Sequence, residues 1–154
     1  MPINSLGEAP DVRRFVMDVI VLIGRILFAM LFLGSGFGHL TQGSAMAGYA
    51  QSRGVPLAKV AVALTGVQLV VGGLMVLLGV WADLGALLLV AFLLPAAVLM
   101  HGFWKETDAQ ARQMEMVQFM KDTGLAGAAL MLFAFFAHNE DLSLTITGPL
   151  FSLG

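Results

Sequence analysis

Four long apolar segments are the feature that most constrains this sequence. They run over about 18–40, 60–80, 84–100 and 117–138. Each is close to the ~20 residues that a helix needs to cross about 30 Å of hydrocarbon. Hydrophobic residues make up 58% of the 154-residue chain and charged residues only 12%, against roughly 25% charge in soluble domains. The sequence therefore predicts an integral membrane protein and excludes an ordinary soluble enzyme.

The connections between these segments predict their arrangement. The link at 81–83 is very short, so the second and third segments form an antiparallel hairpin. Residues 41–59 are interpreted as a polar loop, and 101–116 is a charge-rich connection. Strict alternation over 142–147 predicts a short extended piece on the membrane surface. The fold class predicted is an all-α, integral membrane antiparallel four-helix bundle, with the whole of 1–154 forming a single domain.

Charge and cysteine content remove several classes of function. The net charge of -2 gives no reason to expect a nucleic-acid partner. Because the chain has no cysteine, it has neither disulfides nor thiolate metal ligands, and we expect no metal site. Arg13 and Arg14 before an apolar run imitate a signal peptide, but Arg25 interrupts that run, so we expect the first helix to be retained.

A few polar side chains lie inside the apolar segments, where they require an explanation. Arg25 and His39 fall on one face of the first segment, and we expect Arg25 to reach the interface or to pair with Asp18. Gln68, near the middle of the second segment, is expected to hydrogen-bond another helix. Lys121 is expected to face the bundle interior, and the alternative is a local pair with Asp122 at the interface.

An up-down topology sorts these residues by end. It collects His39, His101, Trp104 and Lys121 on one side, places Arg25 towards the other, and leaves Gln68 between. Two imidazoles and an ammonium can bind a quinone carbonyl or another oxyanion, and Trp104 could stack on a flat ring. A different interpretation is that Lys and Trp side chains only anchor the bundle at the membrane interface, as they commonly do.

Small residues predict the packing faces, because they let membrane helices approach closely. Gly34 and Gly38 form a small-xxx-small pair on the first segment. Two further stripes contain Thr65, Gln68, Gly72 and Gly79 on the second segment, and Lys121, Gly124 and Ala128 on the fourth.

Taken together in order and spacing, several short motifs resemble those of the DoxX family of small bacterial four-helix membrane proteins. The motifs are Gly24-Arg25-Ile26-Leu27-Phe28, Gly34-Ser35-Gly36-Phe37-Gly38-His39-Leu40, Gln68-Leu69-Val70-Val71-Gly72-Gly73, His101-Gly102-Phe103-Trp104, Gln118-Phe119-Met120-Lys121-Asp122 and Gly124-Leu125-Ala126-Gly127. Two positions depart from the family pattern, which usually has Lys at His39 and an acidic residue at Gln68. Since Gln cannot titrate, a proton-carrying role does not transfer to Gln68.

The resemblance implies a multi-pass protein of the bacterial inner membrane, whose relatives include a subunit of a thiosulfate:quinone oxidoreductase. One hypothesis is therefore a subunit of a redox complex that binds quinone, with His39, His101, Trp104 and Lys121 around the headgroup and Arg25 or Gln68 orienting it. The other is a structural accessory subunit that packs on a larger complex, or on copies of itself, through small-residue faces. In both, the partners are the lipid bilayer and other membrane subunits, no covalently bound cofactor is expected, and another chain supplies any electrons.

Overall fold

The computed structural model describes residues 12–139 and 142–153. Five α-helices follow one another: α1 (Val12–Thr41), α2 (Gly43–Ser52), α3 (Ala58–Leu78), α4 (Ala82–Met100) and α5 (Ala109–His138). A single 3₁₀ turn, Phe103–Lys105, lies between α4 and α5. In the described part of the chain, α1, α3, α4 and α5 are long and apolar enough to cross a membrane. The predicted all-α membrane bundle is confirmed.

The four long helices pack in chain order. α1 packs on α3, α3 on α4 and α4 on α5, whereas α1 and α5 form no packed interface in the described ranges. A core of side chains such as Phe32, Leu69, Leu89 and Ala126 joins all four helices. The four helices therefore share one core, although α1 and α5 are not a closely packed pair.

Close helix approach depends on glycines, though not always on the predicted ones. A Cβ built on Gly36 would lie 2.9 Å from the carbonyl oxygen of Gly66, and one on Gly85 would lie 3.0 Å from that of Gly72. Gly34, in contrast, has no heavy atom within 4 Å of a built Cβ. The prediction of a Gly34–Gly38 packing pair was wrong at Gly34, because the buried face of α1 runs through Arg25, Ala29, Phe32 and Gly36.

Three local predictions need correction. Residues 41–59 are not all loop, since α2 occupies 43–52 and buries Ala47 and Ala50 against α3. α5 begins at Ala109, whereas the sequence predicted a start near 117. The helix includes part of the charged connection because the Asp108 side chain accepts a hydrogen bond from the backbone N–H of Ala111 and caps the helix. The segment 142–147 forms turns rather than an extended strand, with Leu144 at a φ of 60°.

Candidate ligand cavity and its polar network

A cavity of about 600 Å³ opens within the membrane-spanning part of the bundle. Its walls come from α1, α2, α3, α4 and the middle of α5. Cavities that hold small molecules commonly have volumes of about 300–1,000 Å³. We call it the membrane cavity. Four of the predicted site residues line it, namely His39, Gln68, His101 and Lys121.

The membrane cavity has an apolar body with a small set of polar groups. Its apolar walls include Val62, Phe92, Pro95, Leu99 and Met100. α1 and α5 both contribute to its walls, although these two helices are not among the closely packed helix pairs of the described residues.

His39 and Gln68 are both tied to neighbouring groups on the cavity wall. The Nδ1 atom of His39 is 3.0 Å from the Oγ1 atom of Thr65, and its ring meets the ring of Phe92 edge-on at 5.8 Å. The side-chain amide of Gln68 donates to the carbonyl oxygen of Leu88 on α4 at 2.8 Å. Gln68 thus makes the interhelical hydrogen bond that its sequence position predicts.

His101 lies at the start of the α4–α5 connection, between two carboxylates of α5. Its Nδ1 atom is 2.8 Å from Oε2 of Glu115, and its Nε2 atom is 3.7 Å from Oδ2 of Asp122. Asp122 is the buried acid of α5, and its other oxygen is 3.4 Å from Nζ of Lys121. Lys121 lines the membrane cavity, but its side chain is 48% exposed. The prediction that Lys121 faces the bundle interior is therefore only partly confirmed.

Tyr49 and Arg53 contact the other carboxylate oxygen of Glu115, the one that does not contact His101. The Tyr49 hydroxyl donates to Oε1 of Glu115 at 2.9 Å and accepts from the guanidinium of Arg53 at 2.9 Å. Arg53 also forms ion pairs with Glu115 and with Glu106. The charged loops and the membrane cavity are thereby connected through one continuous polar network.

The environment of these side chains shifts two pKa values outside the membrane spans. Burial raises the pKa of the Tyr49 phenol, because desolvation penalises the phenolate; Arg53 opposes this shift and Glu115 adds to it. The hydrogen bond to Glu106 raises the pKa of Arg53 further above its usual value. Near neutral pH, Tyr49 is therefore a neutral donor and Arg53 a fixed cation.

Arg25 lies away from the membrane cavity, at the opposite end of the bundle. Its side chain is only 2% exposed and donates to the carbonyl oxygens of Val76, Leu77 and Leu144 at 2.9, 2.6 and 2.7 Å. Two of these carbonyls belong to the last turn of α3, where intrahelical donors run out. Arg25 thus caps α3 and holds the C-terminal segment, and it neither snorkels nor needs Asp18 as its partner.

Trp104 is also outside the lining of the membrane cavity. Its side chain is 50% exposed and packs edge-on against Phe103 and Phe119. This aromatic cluster at a helix end is typical of an interfacial anchor. The structure therefore brings together four of the six sequence candidates and separates Arg25 and Trp104 from them.

The sequence analysis did not select Glu115, Asp122, Tyr49 or Arg53 as site residues. Glu115 and Asp122 are seven residues apart, which places them on one face of a helix. That signal was hidden because the predicted fourth segment began only at 117. In 12–139 and 142–153, no group of three or more His, Asp and Glu side chains is arranged to hold a metal ion.

Comparison with known proteins now adds to this geometry. The family model for DoxX matches residues 20–102, more than half of the chain. The chain belongs to the DoxX family. The matched range contains His39, Gln68 and His101 of the membrane cavity, and it ends before the carboxylates of α5. No solved structure matches the chain significantly.

A curated relative supports the same assignment. The inner membrane protein YphA of Escherichia coli (strain K12) is 30% identical over 114 residues, which cover 74% of this chain and 81% of the relative. Together with the four candidate spans, this similarity confirms the predicted location: this DoxX protein is a multi-pass protein of the bacterial inner membrane.

Proposed function

We propose that this DoxX protein binds the headgroup of a membrane quinone as a subunit of a redox complex. The observation that carries the proposal is the membrane cavity, which joins His39, Gln68, His101 and Lys121 in one apolar space of about 600 Å³. A quinone has a flat ring with two carbonyl oxygens and an apolar tail, so it needs a few donors at one end of an apolar pocket.

The lining suits both parts of such a ligand. The Lys121 ammonium and the His101 ring lie together beside Asp122 and supply donors for a carbonyl oxygen. The ring of Phe92 and the side chains of Pro95 and Leu99 offer apolar surface to the quinone ring. In this proposal, the tail reaches the bilayer between α1 and α5, which form no closely packed helix pair.

Electron transfer is assigned to a partner chain. The sequence has no cysteine to hold an iron–sulfur cluster and no glycine-rich dinucleotide-binding motif. In this proposal, the DoxX protein holds and positions the quinone, while a neighbouring subunit carries the redox centre.

The test is purification in mild detergent, followed by extraction and quantification of bound quinone. We expect near-stoichiometric quinone with the natural protein and its loss in His101→Ala. The matched control is His138→Ala, which removes an imidazole at the last residue of α5, outside the cavity lining. Recovery of an intact complex with no quinone in it would refute the proposal.

An accessory role is the second candidate, and outward-facing glycines favour it. Gly124 and Gly127 on α5 are exposed, and neither has a heavy atom within 4 Å of a built Cβ. Such a smooth strip admits close approach of another membrane helix. We expect Gly124→Leu to release co-purifying membrane subunits. If quinone stays bound to the released monomer, the protein has both roles. If neither the natural protein nor the variant contains quinone, only the accessory role remains.

A further inference from the structure

A second cavity adjoins the first, and the two share a wall. The second cavity has a volume of about 560 Å³ and is lined by Tyr49, His101, Gln113, Met114, Glu115, Val117 and Gln118. We call it the outer cavity. Tyr49 and His101 are the residues that line both cavities. Because Met114 and Val117 are more than half exposed, the outer cavity lies at the surface of the bundle.

The two nitrogens of His101 point to different sides of this wall. Nδ1 is 2.8 Å from Glu115, which lines the outer cavity, and Nε2 is 3.7 Å from Asp122, which lines the membrane cavity. The longer distance exceeds that of a hydrogen bond, so Asp122 does not fill the donor or acceptor position of Nε2. That position is left for a hydroxyl or carbonyl group that enters the membrane cavity.

We propose that His101 transfers protons between a ligand in the membrane cavity and Glu115 in the outer cavity. The inference rests on the proposed function, since the ligand is taken to be a quinone or its hydroquinone. In the outward direction, a hydroquinone hydroxyl gives its proton to Nε2 while the proton on Nδ1 moves to Glu115. One N–H bond forms and one breaks, so the ring keeps its charge, and the same steps in reverse deliver a proton to a reduced quinone.

The groups that face His101 suit this role. Imidazole is the side chain best able to accept and release a proton near neutral pH. Tyr49 and Arg53 hold the Glu115 carboxylate in place from α2 and the loop after it. Lys121 and Asp122 on α5 provide one positive and one negative charge on the inner side. Glu115 acts through His101 and is therefore a positioning and proton-exchanging residue, without contact to the ligand.

The first test measures quinone reduction in the protein reconstituted into nanodiscs. The protein is loaded with a short-chain benzoquinone and then freed of unbound quinone, because dithionite reduces dissolved quinone directly. The bound quinone takes two electrons from dithionite and two protons from the medium, while dithionite is oxidised to sulfite. In this single turnover, we expect Glu115→Gln to slow the reduction on the order of 10²-fold, a usual contribution of a general acid. Formate should restore part of the rate, and the solvent deuterium isotope effect should rise. The control Gln110→Glu places a carboxylate at an exposed position in the first turn of α5, outside both cavities, and should leave the natural rate unchanged.

The second test needs no quinone. The chain has three histidines, so a protein labelled with ¹⁵N-histidine gives three separate imidazole signals. We expect Glu115→Gln to move the signals of His101 and to leave those of His138 unchanged. If the natural protein binds no quinone, the proposed function fails and the transfer role fails with it, while a shift of the His101 signals then reports only its contact with Glu115. If quinone binds but Glu115→Gln leaves both the reduction rate and its isotope effect unchanged, the transfer role is overturned.

Discussion

Replacement of Arg25 by methionine tests the assignment of this buried cation to stability rather than to the ligand cavity. Arg25→Met keeps much of the side-chain volume but removes the donors to three backbone carbonyls. Each buried carbonyl left without a partner costs about 1–3 kcal/mol, so three fully buried ones would cost roughly 3–9 kcal/mol. Only the bond to Val76 is fully buried, and the partly buried bonds to Leu77 and Leu144 bring the cost towards the lower end. Loss of the buried charge offsets part of this cost, because the desolvation penalty of the guanidinium disappears with it.

We therefore expect Arg25→Met to lower the free energy of unfolding by roughly 3 kcal/mol, near the lower end of that range. The assay is equilibrium unfolding in mixed micelles of mild detergent and dodecyl sulfate, followed by helical circular dichroism. Arg112→Met is the matched control, since Arg112 is exposed on the first turn of α5, and it should change stability by no more than about 0.5 kcal/mol.

The same variant separates the two ends of the bundle. Because Arg25 does not line the membrane cavity, the folded fraction of Arg25→Met should retain quinone at the natural ratio. A change in unfolding free energy of less than about 1 kcal/mol would refute the capping argument. Loss of quinone from folded protein would show that Arg25 serves the ligand after all.

Two further perturbations address the packing and the polar network. Gly36→Ala should destabilise the bundle by about 1–3 kcal/mol in the same unfolding assay, because the new methyl group would lie 2.9 Å from the carbonyl oxygen of Gly66. The control Gly124→Ala should not destabilise the bundle, because its methyl group meets no heavy atom within 4 Å. Tyr49 is the chain's single tyrosine, so phenolate absorbance reports its ionisation alone. Glu115→Gln should lower the pKa of Tyr49, because the carboxylate that disfavours the phenolate is removed; an unchanged or higher pKa would contradict the contact.

The sequence alone determined the membrane class and the four membrane-spanning helices. Length and apolarity sufficed for the spans, because in hydrocarbon every backbone group must be satisfied within a helix. The order of the helices also placed His39, His101 and Lys121 at one end, since consecutive spans must alternate in direction. Helix periodicity put Arg25 and His39 on one face of α1, and the structure shows that Arg25 is buried there.

Only the tertiary structure decided what each polar side chain contacts. The partners of Arg25 lie 51, 52 and 119 residues away, a separation that no local pattern reveals. The early start of α5 brought Glu115 onto the helix that carries Asp122, and the fold then placed His101 between them. The cavity itself is built from residues of all five α-helices, which no local pattern brings together. Spacing along a chain fixes the face of a helix, but partners and cavities depend on how whole helices approach one another.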